Sequence, residues 1–336
     1  TATPAETTGV QGATQTGKPE FTAGNSRVPM NDDVAATFDD GSTTKTVDGV
    51  GTYTVAADGT VTFVPEPSFT GTAPAVTVVR EDMNGSKASA TYTPTVNPVT
   101  LTPTNKVSED IQNIPQTETP TFALSDDETA QITSKKLIDP ATGQPTDETT
   151  VTVAGEGTYT INPTTGQVTF TPEPSFTGTA TGVTVSLTAG VGYDKDGDVS
   201  ADAVKTATAK YTPTVTPITV TPTDKVSADV QNVPQTQTPT FDLSSDKTAK
   251  ITSKKLVDPA TGQPTDETTV TVAGEGTYTI DPTTGAVTFT PEKDFVGTAT
   301  GVKIQAIATI TNEDGKTSTI TLDASYTPTV VAAVPT

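Results

Sequence analysis

Three aspartates lie close together in one turn-forming segment: Asp194, Asp196 and Asp198, separated by Lys195 and Gly197. Carboxylate oxygens are the ligands that Ca²⁺ prefers, and a glycine lets a short loop curl around the ion. The pattern therefore predicts a calcium site formed by these three aspartates. The same residue types are also typical of an exposed hairpin tip, because Asp and Gly suit tight turns. A plain turn without an ion is the alternative interpretation.

Other carboxylates are scattered through segments rich in Gly, Thr and Pro. They include Glu156 and Glu275, each between two glycines, and the pairs Asp147–Glu148 and Asp266–Glu267. Glycoside hydrolysis requires two carboxylates that face one cleft, and these spacings indicate no such pair. The chain has no His and no Cys, which excludes an imidazole base, a thiolate nucleophile, the usual zinc or haem sites and disulfides. We therefore expect no catalytic residue, no cofactor apart from calcium and no enzymatic activity.

Two pairs of lysines, Lys135–Lys136 and Lys254–Lys255, follow alternating strand-like segments. Lysines at the edge of a sheet discourage pairing with other chains, so we interpret them as solvated edge residues. A second interpretation makes one of them half of a Lys to Asn or Asp crosslink. That reaction requires a buried lysine and a buried partner, which the sequence alone does not demonstrate.

The chain is strongly acidic, with 19 Lys and Arg against 40 Asp and Glu and a net charge of -21. This charge repels nucleic acid and anionic lipid headgroups, so we expect the chain to bind neither nucleic acid nor membranes. We also expect it to be a monomer. The segment Thr1–Gly12 lacks the basic and apolar regions of a signal peptide, and no sorting motif follows Val330. We therefore expect a fragment of a longer protein.

One sequence unit occurs three times. The string YTPTV begins at Tyr92, Tyr211 and Tyr326, and upstream of each copy stand the strings GTYT and F-[TV]-G-T-A. A repeat of this length is a whole domain, unlike the short turns of a solenoid. We predict three domains at residues 1–97, 98–217 and 218–336. Proline-rich joints between them favour extended, stiff backbone and hence an elongated rod.

Apolar residues alternate with Thr, Ser or Gly along each unit, the period of half-buried antiparallel strands. The clearest hairpin joins Tyr159–Ile161 to Val168–Phe170 through a turn that ends at Gly166. No segment of similar length has helical periodicity. The sequence predicts an all-β fold, a tandem array of three immunoglobulin-like β-sandwich domains.

Aromatic residues recur at five equivalent positions per copy, which predicts one core per domain. In the first copy these positions are Phe21, Tyr53, Phe63, Phe69 and Tyr92; Phe38 and Tyr193 have no counterparts.

The ordered strings GTYT-x-[ND]-P-T-T-G-x-V-T-F-T-P-E, F-[TV]-G-T-A and YTPTV resemble the fibril repeats of streptococcal CshA-type surface adhesins. The resemblance covers nearly the whole chain. It implies an extracellular, cell-wall-anchored protein of Gram-positive bacteria, in which the repeats form a stalk that projects an N-terminal adhesive region. Host matrix or bacterial surface proteins would then bind through the parent protein. The alternative function is that the repeats themselves bind a host or bacterial protein, stabilised by calcium.

Overall fold

Alternation of Val, Ile, Tyr and Phe with Thr produces strands in which every second side chain is buried. The computed structural model describes residues 1–126, 128–193, 196–245 and 247–334. Within these ranges the regular structure consists of strands, without a helix, which confirms the predicted all-β class. Thr suits the outward positions because it is β-branched and remains hydrated.

The strands fall into three equivalent sets. The first repeat contains β1 (Ala2–Thr3), β2 (Ala5–Val10), β3 (Gln15–Gly17), β4 (Glu20–Phe21), β5 (Thr37–Phe38), β6 (Thr44–Val47), β7 (Gly51–Val55), β8 (Val61–Pro65), β9 (Gly71–Thr72), β10 (Val76–Glu81) and β11 (Lys87–Asn97). The second contains β12 (Leu101–Thr104), β13 (Lys106–Ile111), β14 (Gln116–Glu118), β15 (Thr121–Leu124), β16 (Ala130–Leu137), β17 (Thr150–Val153), β18 (Gly157–Ile161), β19 (Val168–Pro172), β20 (Gly178–Thr179), β21 (Val183–Val191) and β22 (Val204–Thr216). The third contains β23 (Val220–Thr223), β24 (Lys225–Val230), β25 (Gln235–Gln237), β26 (Thr240–Leu243), β27 (Ala249–Asp258), β28 (Gln263–Pro264), β29 (Thr269–Val272), β30 (Gly276–Ile280), β31 (Val287–Pro291), β32 (Gly297–Thr298), β33 (Val302–Thr311) and β34 (Thr317–Val331).

Each repeat is a sandwich of two main sheets. In the second repeat one sheet has the order β13-β22-β21-β16, with β20 also paired to β22, and the other has the order β14-β19-β18-β17. A separate antiparallel pair, β12 with β15, lies outside these two sheets. The equivalent strands of the other repeats pair in the same way, and β28 extends the first sheet of the third repeat beyond β27.

One strand pair in each repeat differs from the antiparallel arrangement that the sequence predicts. The strand pairs β2–β11, β13–β22 and β24–β34 are parallel. Parallel neighbours need a long connection, and here almost the whole repeat lies between the two strands. Local alternation does not reveal this pairing because the partners are far apart in the sequence.

Each sandwich encloses its own apolar core, as the aromatic positions predict. The hairpin tyrosine and phenylalanine of every repeat have ring centroids 4.7 Å apart: Tyr53 with Phe63, Tyr159 with Phe170, and Tyr278 with Phe289. Phe21 and Phe69 are only partly buried, against the edge of the first core. Phe38, which has no aromatic counterpart, pairs with Val78 in the first repeat, and Leu137 pairs with the equivalent Val185 in the second. Both side chains are buried, so Phe38 occupies the core position that a leucine occupies in the second repeat.

The predicted hairpin of the second repeat is confirmed. Strands β18 and β19 pair in register, and Gly166 has a φ of 80°, a conformation that glycine adopts without strain. Asn162 Oδ1 accepts the backbone N–H groups of Thr164 and Thr165 at 3.0 and 3.1 Å. The turn is therefore stabilised by the asparagine side chain as well as by the glycine.

The joints are shorter than the proline-rich segments that predict them. Strand β11 continues to Asn97 and β12 begins at Leu101, so only residues 98–100 connect the first two repeats. Likewise only residues 217–219 lie between β22 and β23. Most of each predicted linker is incorporated into strands, and this leaves little free chain for bending.

The accessible surface of the chain agrees with an open array. It measures 17311 Å². A single globule of 34.4 kDa would expose about 13,000 Å², whereas three separate globules of one third of that mass would together expose about 17,000 Å². The repeats therefore bury little surface against one another, as the predicted elongated rod requires.

Candidate functional site

Two buried glutamines occupy the boundaries between repeats. Gln112 Nε2 donates to Pro174 O at 2.7 Å within the second repeat, and its Oε1 accepts the N–H of Ile218 in the third at 3.1 Å. Gln11 makes the same two bonds at the first boundary, to Pro67 O at 2.9 Å and from Val99 N–H at 3.2 Å. Because a buried polar group without a partner is costly, each glutamine specifies the position at which the next repeat begins.

A small apolar cluster lies beside each of these glutamines, separate from the sandwich cores. At the second boundary Ile218, Ala249 and Ile310 of the third repeat are buried, and Ile111 of the second packs against them. At the first boundary Val10 packs in the same way against Val99, Ala130, Val191 and Ala203. Each cluster removes apolar surface of both repeats from water and so stabilises the joint.

The residue after each of these glutamines contacts the next repeat closely. A Cβ atom added at Gly12 would lie 2.3 Å from the Cα of Gly192, so no side chain fits there. The equivalent residue at the second boundary, Asn113, has a φ of 67° and donates from Nδ2 to Thr311 O at 2.7 Å. Asparagine tolerates this left-handed conformation better than most residues.

The second joint also carries an ion pair. Lys316 Nζ lies 2.8 Å from Glu173 Oε1, and this contact raises the pKa of Lys316 above its ordinary value. The lysine side chain is 60% exposed, so water and salt screen the pair and its contribution to stability is small. The pair therefore connects the two repeats without adding much to the stability of the joint.

A cleft of about 490 Å³ opens at the first joint. Glu66 and Pro67 of the first repeat line one side, and Tyr193, Asp196 and Asp202 of the second line the other. Carboxylates of two repeats therefore line one cleft. The apolar cores of these repeats are nevertheless separate clusters, so the cleft lies between two domains and not inside a shared core. The cleft is open, and the three carboxylates on its otherwise mostly apolar lining make it negatively charged.

The predicted calcium site stays a prediction. Asp194 lies outside the described residues, Asp198 is exposed, and Asp196 is an exposed residue of the cleft. In the part of the chain that the structure describes, no group of three or more acidic residues is placed to hold a metal ion. The matching turn of the first repeat uses its carboxylate locally, because Asp82 Oδ1 accepts the N–H groups of Asn84 and Ser86 at 2.9 and 3.0 Å.

The lysine pairs lie on strands β16 and β27. Lys136 forms an ion pair with Asp147 at 2.6 Å, and Lys255 forms the equivalent pair with Asp266 at 2.6 Å. Each lysine lowers the pKa of its aspartate through a hydrogen bond and charge attraction. Asp147 and Asp266 are 91% and 89% exposed, so these pairs lack the burial that the crosslinking reaction requires.

Glu156 and Glu275 hold loops together. Glu156 accepts the backbone N–H of Thr181 at 2.8 Å and the hydroxyl of Thr181 at 2.6 Å. Glu275 accepts the same two groups of Thr300 at 2.7 and 2.6 Å. Their oxygens are therefore occupied by structural hydrogen bonds, and each glutamate fixes the loop before β21 or β33.

Sequence reasoning did not identify Gln11, Gln112, Asn113 or the ion pair between Lys316 and Glu173. The two glutamines recur at equivalent positions of their repeats, each four residues before a second glutamine, Gln15 or Gln116. A polar residue at the same place in every copy is a signal of a structural hydrogen bond. The ion pair leaves no such signal because its partners are 143 residues apart.

No helix in the described part of the chain is long and apolar enough to cross a membrane. Comparison with curated protein sequences gives no match. Among solved structures, a mutated variant of titin domains I67–I69 is 9% identical, with 99% of this chain and 97% of that chain covered and a TM-score of 0.31. The titin I9–I11 tandem is 11% identical over 98% of both chains, with a TM-score of 0.30. Mouse cadherin-23 EC22–24 is 12% identical, with 98% and 96% covered and a TM-score of 0.29.

A protein-family comparison covers nearly every residue of the chain. The family described as the surface adhesin CshA repetitive domain matches three successive segments, residues 1–96, 98–215 and 217–330. Each of these segments contains one of the three sets of strands to within one residue. The chain therefore belongs to the family of surface adhesin CshA repetitive domains.

Proposed function

We propose that the chain is a stalk segment of a cell-surface adhesin, which holds an adhesive region away from the bacterial cell. The observation that supports this most directly is the pair of short joints, each fixed by a buried glutamine and an apolar cluster. Such joints set the direction of one repeat relative to the next, and distance is then gained by adding repeats. In this proposal the units are residues 1–97, 98–217 and 218–336.

Several properties belong to the same proposal. The parent protein is attached to the cell wall of a Gram-positive bacterium, and the segment itself is a monomer without enzymatic activity. Its contacts are with neighbouring repeats of its own chain. The net charge of -21 supports the monomeric state, because like charges discourage lateral association between stalks.

Small-angle scattering tests the stalk proposal. A compact globule of 336 residues has a radius of gyration of about 20 Å, whereas a rod on the order of 100 Å long has one of about 30 Å. We expect the larger value at both low and high salt, because the joints depend on buried contacts. A value near that of the compact globule would contradict the proposal.

The alternative function, in which the repeats themselves bind a host or bacterial protein, is favoured by the acidic cleft at the first joint. Its occupant would be a basic protein surface, since Glu66 and Asp202 both line the cleft. Binding of the chain to a panel of matrix proteins tests this function, with the Glu66→Gln/Asp202→Asn variant as the control. Binding that the variant loses would support the adhesive function, and no binding across the panel would support the stalk alone.

A further inference from the structure

We propose that each repeat contains its own force-bearing clamp, formed by the parallel pairing of two strands. We call β2, β13 and β24 the leading strands and β11, β22 and β34 the closing strands. Each leading strand pairs with the closing strand of its repeat over six residue pairs. The inference deepens the proposed stalk function and rests on it only for the source of the tension.

The direction of the pair decides how tension acts. The chain reaches a leading strand at its N-terminal end and leaves a closing strand at its C-terminal end. Because the two strands are parallel, these ends lie at opposite ends of the pair. Tension along the chain therefore slides one strand past the other and strains the hydrogen bonds between them together. If the two strands were antiparallel, both pulled ends would lie at the same end of the pair. The hydrogen bonds between the strands would then break one after another.

The short strand that precedes each leading strand separates under tension before the clamp does. In the second repeat β12 pairs only with β15, outside the two main sheets. Its release leaves the sandwich intact and transfers the force to the pair of β13 and β22. The clamp is therefore the last barrier before the closing strand is pulled out of the sheet.

Backbone N–H groups alternate in direction along the leading strand. Gln112 N–H donates to Thr216 O on the closing side at 2.7 Å, whereas Ile111 N–H donates to Asp110 Oδ1 at 2.7 Å. Successive N–H groups of a strand point to opposite sides. The N–H of Asp110 therefore points toward the closing strand, like that of Gln112, and the N–H of Glu109 points away from it, like that of Ile111. The third repeat repeats this geometry, with Gln231 N–H bonded to Val331 O and Val230 N–H to Asp229 Oδ1.

The proline of the YTPTV string does not interrupt the clamp. A proline inside a sheet removes one ladder hydrogen bond, so its orientation matters. Pro213 O accepts the N–H of Ala180 at 2.9 Å, which shows that the backbone of Pro213 faces away from the leading strand. Thr212 and Thr214, on either side, face the leading strand and keep their N–H groups. Pro94 and Pro328 have the same orientation, since their carbonyl oxygens accept the N–H groups of Ala73 and Ala299.

Buried side chains add a second layer of bonds between the same two strands. Ser108 of the leading strand donates to Gln116 Oε1, and Gln116 Nε2 donates to Thr214 O of the closing strand at 2.9 Å. The single Ser108 hydroxyl proton is used in this way, so the hydroxyl of Tyr211 donates to Ser108 Oγ at 2.7 Å. Gln116 is 4% exposed, and water therefore does not compete for these bonds.

The other repeats contain the same network. In the first, Thr7 replaces the serine and bonds to Gln15 and Tyr92, while Gln15 donates to Thr95 O at 2.9 Å. In the third, Ser227 bonds to Gln235 and Tyr326, and Gln235 donates to Thr329 O at 2.9 Å. The same network in all three repeats resists sliding of the leading strand along the closing strand.

Single-molecule force spectroscopy on the full chain, pulled through its two ends, tests the clamp with matched proline variants. Asp229→Pro removes the N–H that faces the closing strand of the third repeat, and Ala228→Pro removes the neighbouring N–H that faces away. Both side chains are exposed, so neither change disturbs the core. Asp229→Ala controls for loss of the carboxylate.

We expect three unfolding events in the unmodified chain and a lower force for one of them in Asp229→Pro alone. Equal forces in both proline variants would overturn the inference.

Pulling direction provides a test that does not depend on how well Asp229→Pro folds. The chain has no native cysteine, so Asp229→Cys supplies a unique attachment point. Asp229 pairs with Val330, so force between this cysteine and the C-terminus opens the pair from one end. We expect the third repeat to unfold at a lower force than when the chain is pulled through both ends. Equal forces would refute the clamp, whereas a compact shape in scattering would refute only the stalk.

Discussion

Gln112 and Ile218 are joined by a hydrogen bond across the boundary between two repeats, with the N–H of Ile218 donating to Gln112 Oε1 at 3.1 Å. The same amide donates to Pro174 O at 2.7 Å in its own repeat. Gln112 is 5% exposed, so water does not replace either bond easily. One side chain therefore positions the start of a repeat against a loop of the repeat before it.

Replacement of this glutamine should loosen the second joint alone. Gln112→Ala leaves the N–H of Ile218 and the carbonyl of Pro174 without their partner, at a cost of about 1–3 kcal/mol. We expect hydrogen exchange at the Ile218 amide to accelerate roughly ten- to hundredfold. Exchange at Val99, which Gln11 holds at the first joint, should not change and serves as the internal control.

The ion pair at the same joint offers a second control. Lys316→Gln removes the contact with Glu173 but leaves the buried glutamine in place. Exposed ion pairs contribute little, so the exchange rate at Ile218 should stay as it is in the unmodified chain. Faster exchange in Lys316→Gln, or unchanged exchange in Gln112→Ala, would show that the glutamine does not fix the joint.

The sequence predicts the fold well where the information is local. Period-two alternation, the turn from Asn162 to Gly166 and the aromatic positions are all properties of neighbouring residues, and the structure confirms them. The parallel pairing of leading and closing strands is different, because it joins residues about 100 positions apart, such as Lys106 and Tyr211. No local pattern distinguishes a parallel edge strand from an antiparallel one.

The sites are less predictable than the fold. The carboxylates that attract attention in the sequence, Glu156 and Asp147, make structural or exposed contacts. The buried side chains at the joints, Gln11 and Gln112, are amides, which carry no charge and so do not by themselves suggest a site. Their importance arises from burial beside backbone groups of another repeat, a property that only the assembled structure reveals.

The hairpin tyrosine of the first repeat makes a hydrogen bond through its buried hydroxyl that the equivalent tyrosines of the other two repeats do not make. Tyr53 OH donates to Pro74 O at 2.7 Å, whereas the hydroxyls of Tyr159 and Tyr278, which lie beside the N–H groups of Gly182 and Gly301, find no acceptor for their protons among the residues that the structure describes. A buried hydroxyl without a partner costs stability, and its removal is neutral or favourable. Tyr278→Phe should therefore raise the free energy of unfolding by up to about 1 kcal/mol or leave it unchanged, while Tyr53→Phe should lower it by about 1 kcal/mol. Denaturant unfolding of both variants measures this difference, and equal losses of stability would contradict it.

Alkaline pH should destabilise all three repeats. Burial raises the pKa of Tyr53 to about 12, and it also raises the pKa values of Tyr92, Tyr159, Tyr211, Tyr278 and Tyr326. The folded-state values lie above the unfolded value of about 10. Stability is therefore fully present below pH 10 and is lost as the pH rises toward the folded-state values, because the unfolded chain releases its tyrosine protons first.

Denaturant midpoints measured between pH 8 and pH 12 test this dependence. We expect a plateau up to about pH 10 and a steep fall above it, accompanied by tyrosinate absorbance that appears together with unfolding. Tyr53→Phe removes one of these groups, so the fall should be less steep for the first repeat. Tyrosinate absorbance that develops fully in the folded protein would show that the phenols titrate without opposing the fold.

Glu156 and Thr181 provide a prediction with its control in the same molecule. Glu156→Ala removes the acceptor of the Thr181 N–H and hydroxyl, which lie 2.8 and 2.6 Å from the carboxylate. Because these bonds are exposed and water competes for them, we take a contribution of about 0.5–1.5 kcal/mol, and exchange at the Thr181 amide should accelerate about two- to tenfold. The amide of Thr300, held by Glu275 in the third repeat, should keep its exchange rate. If both amides accelerated together, the glutamate would act on the stability of the whole chain and not on the loop before β21.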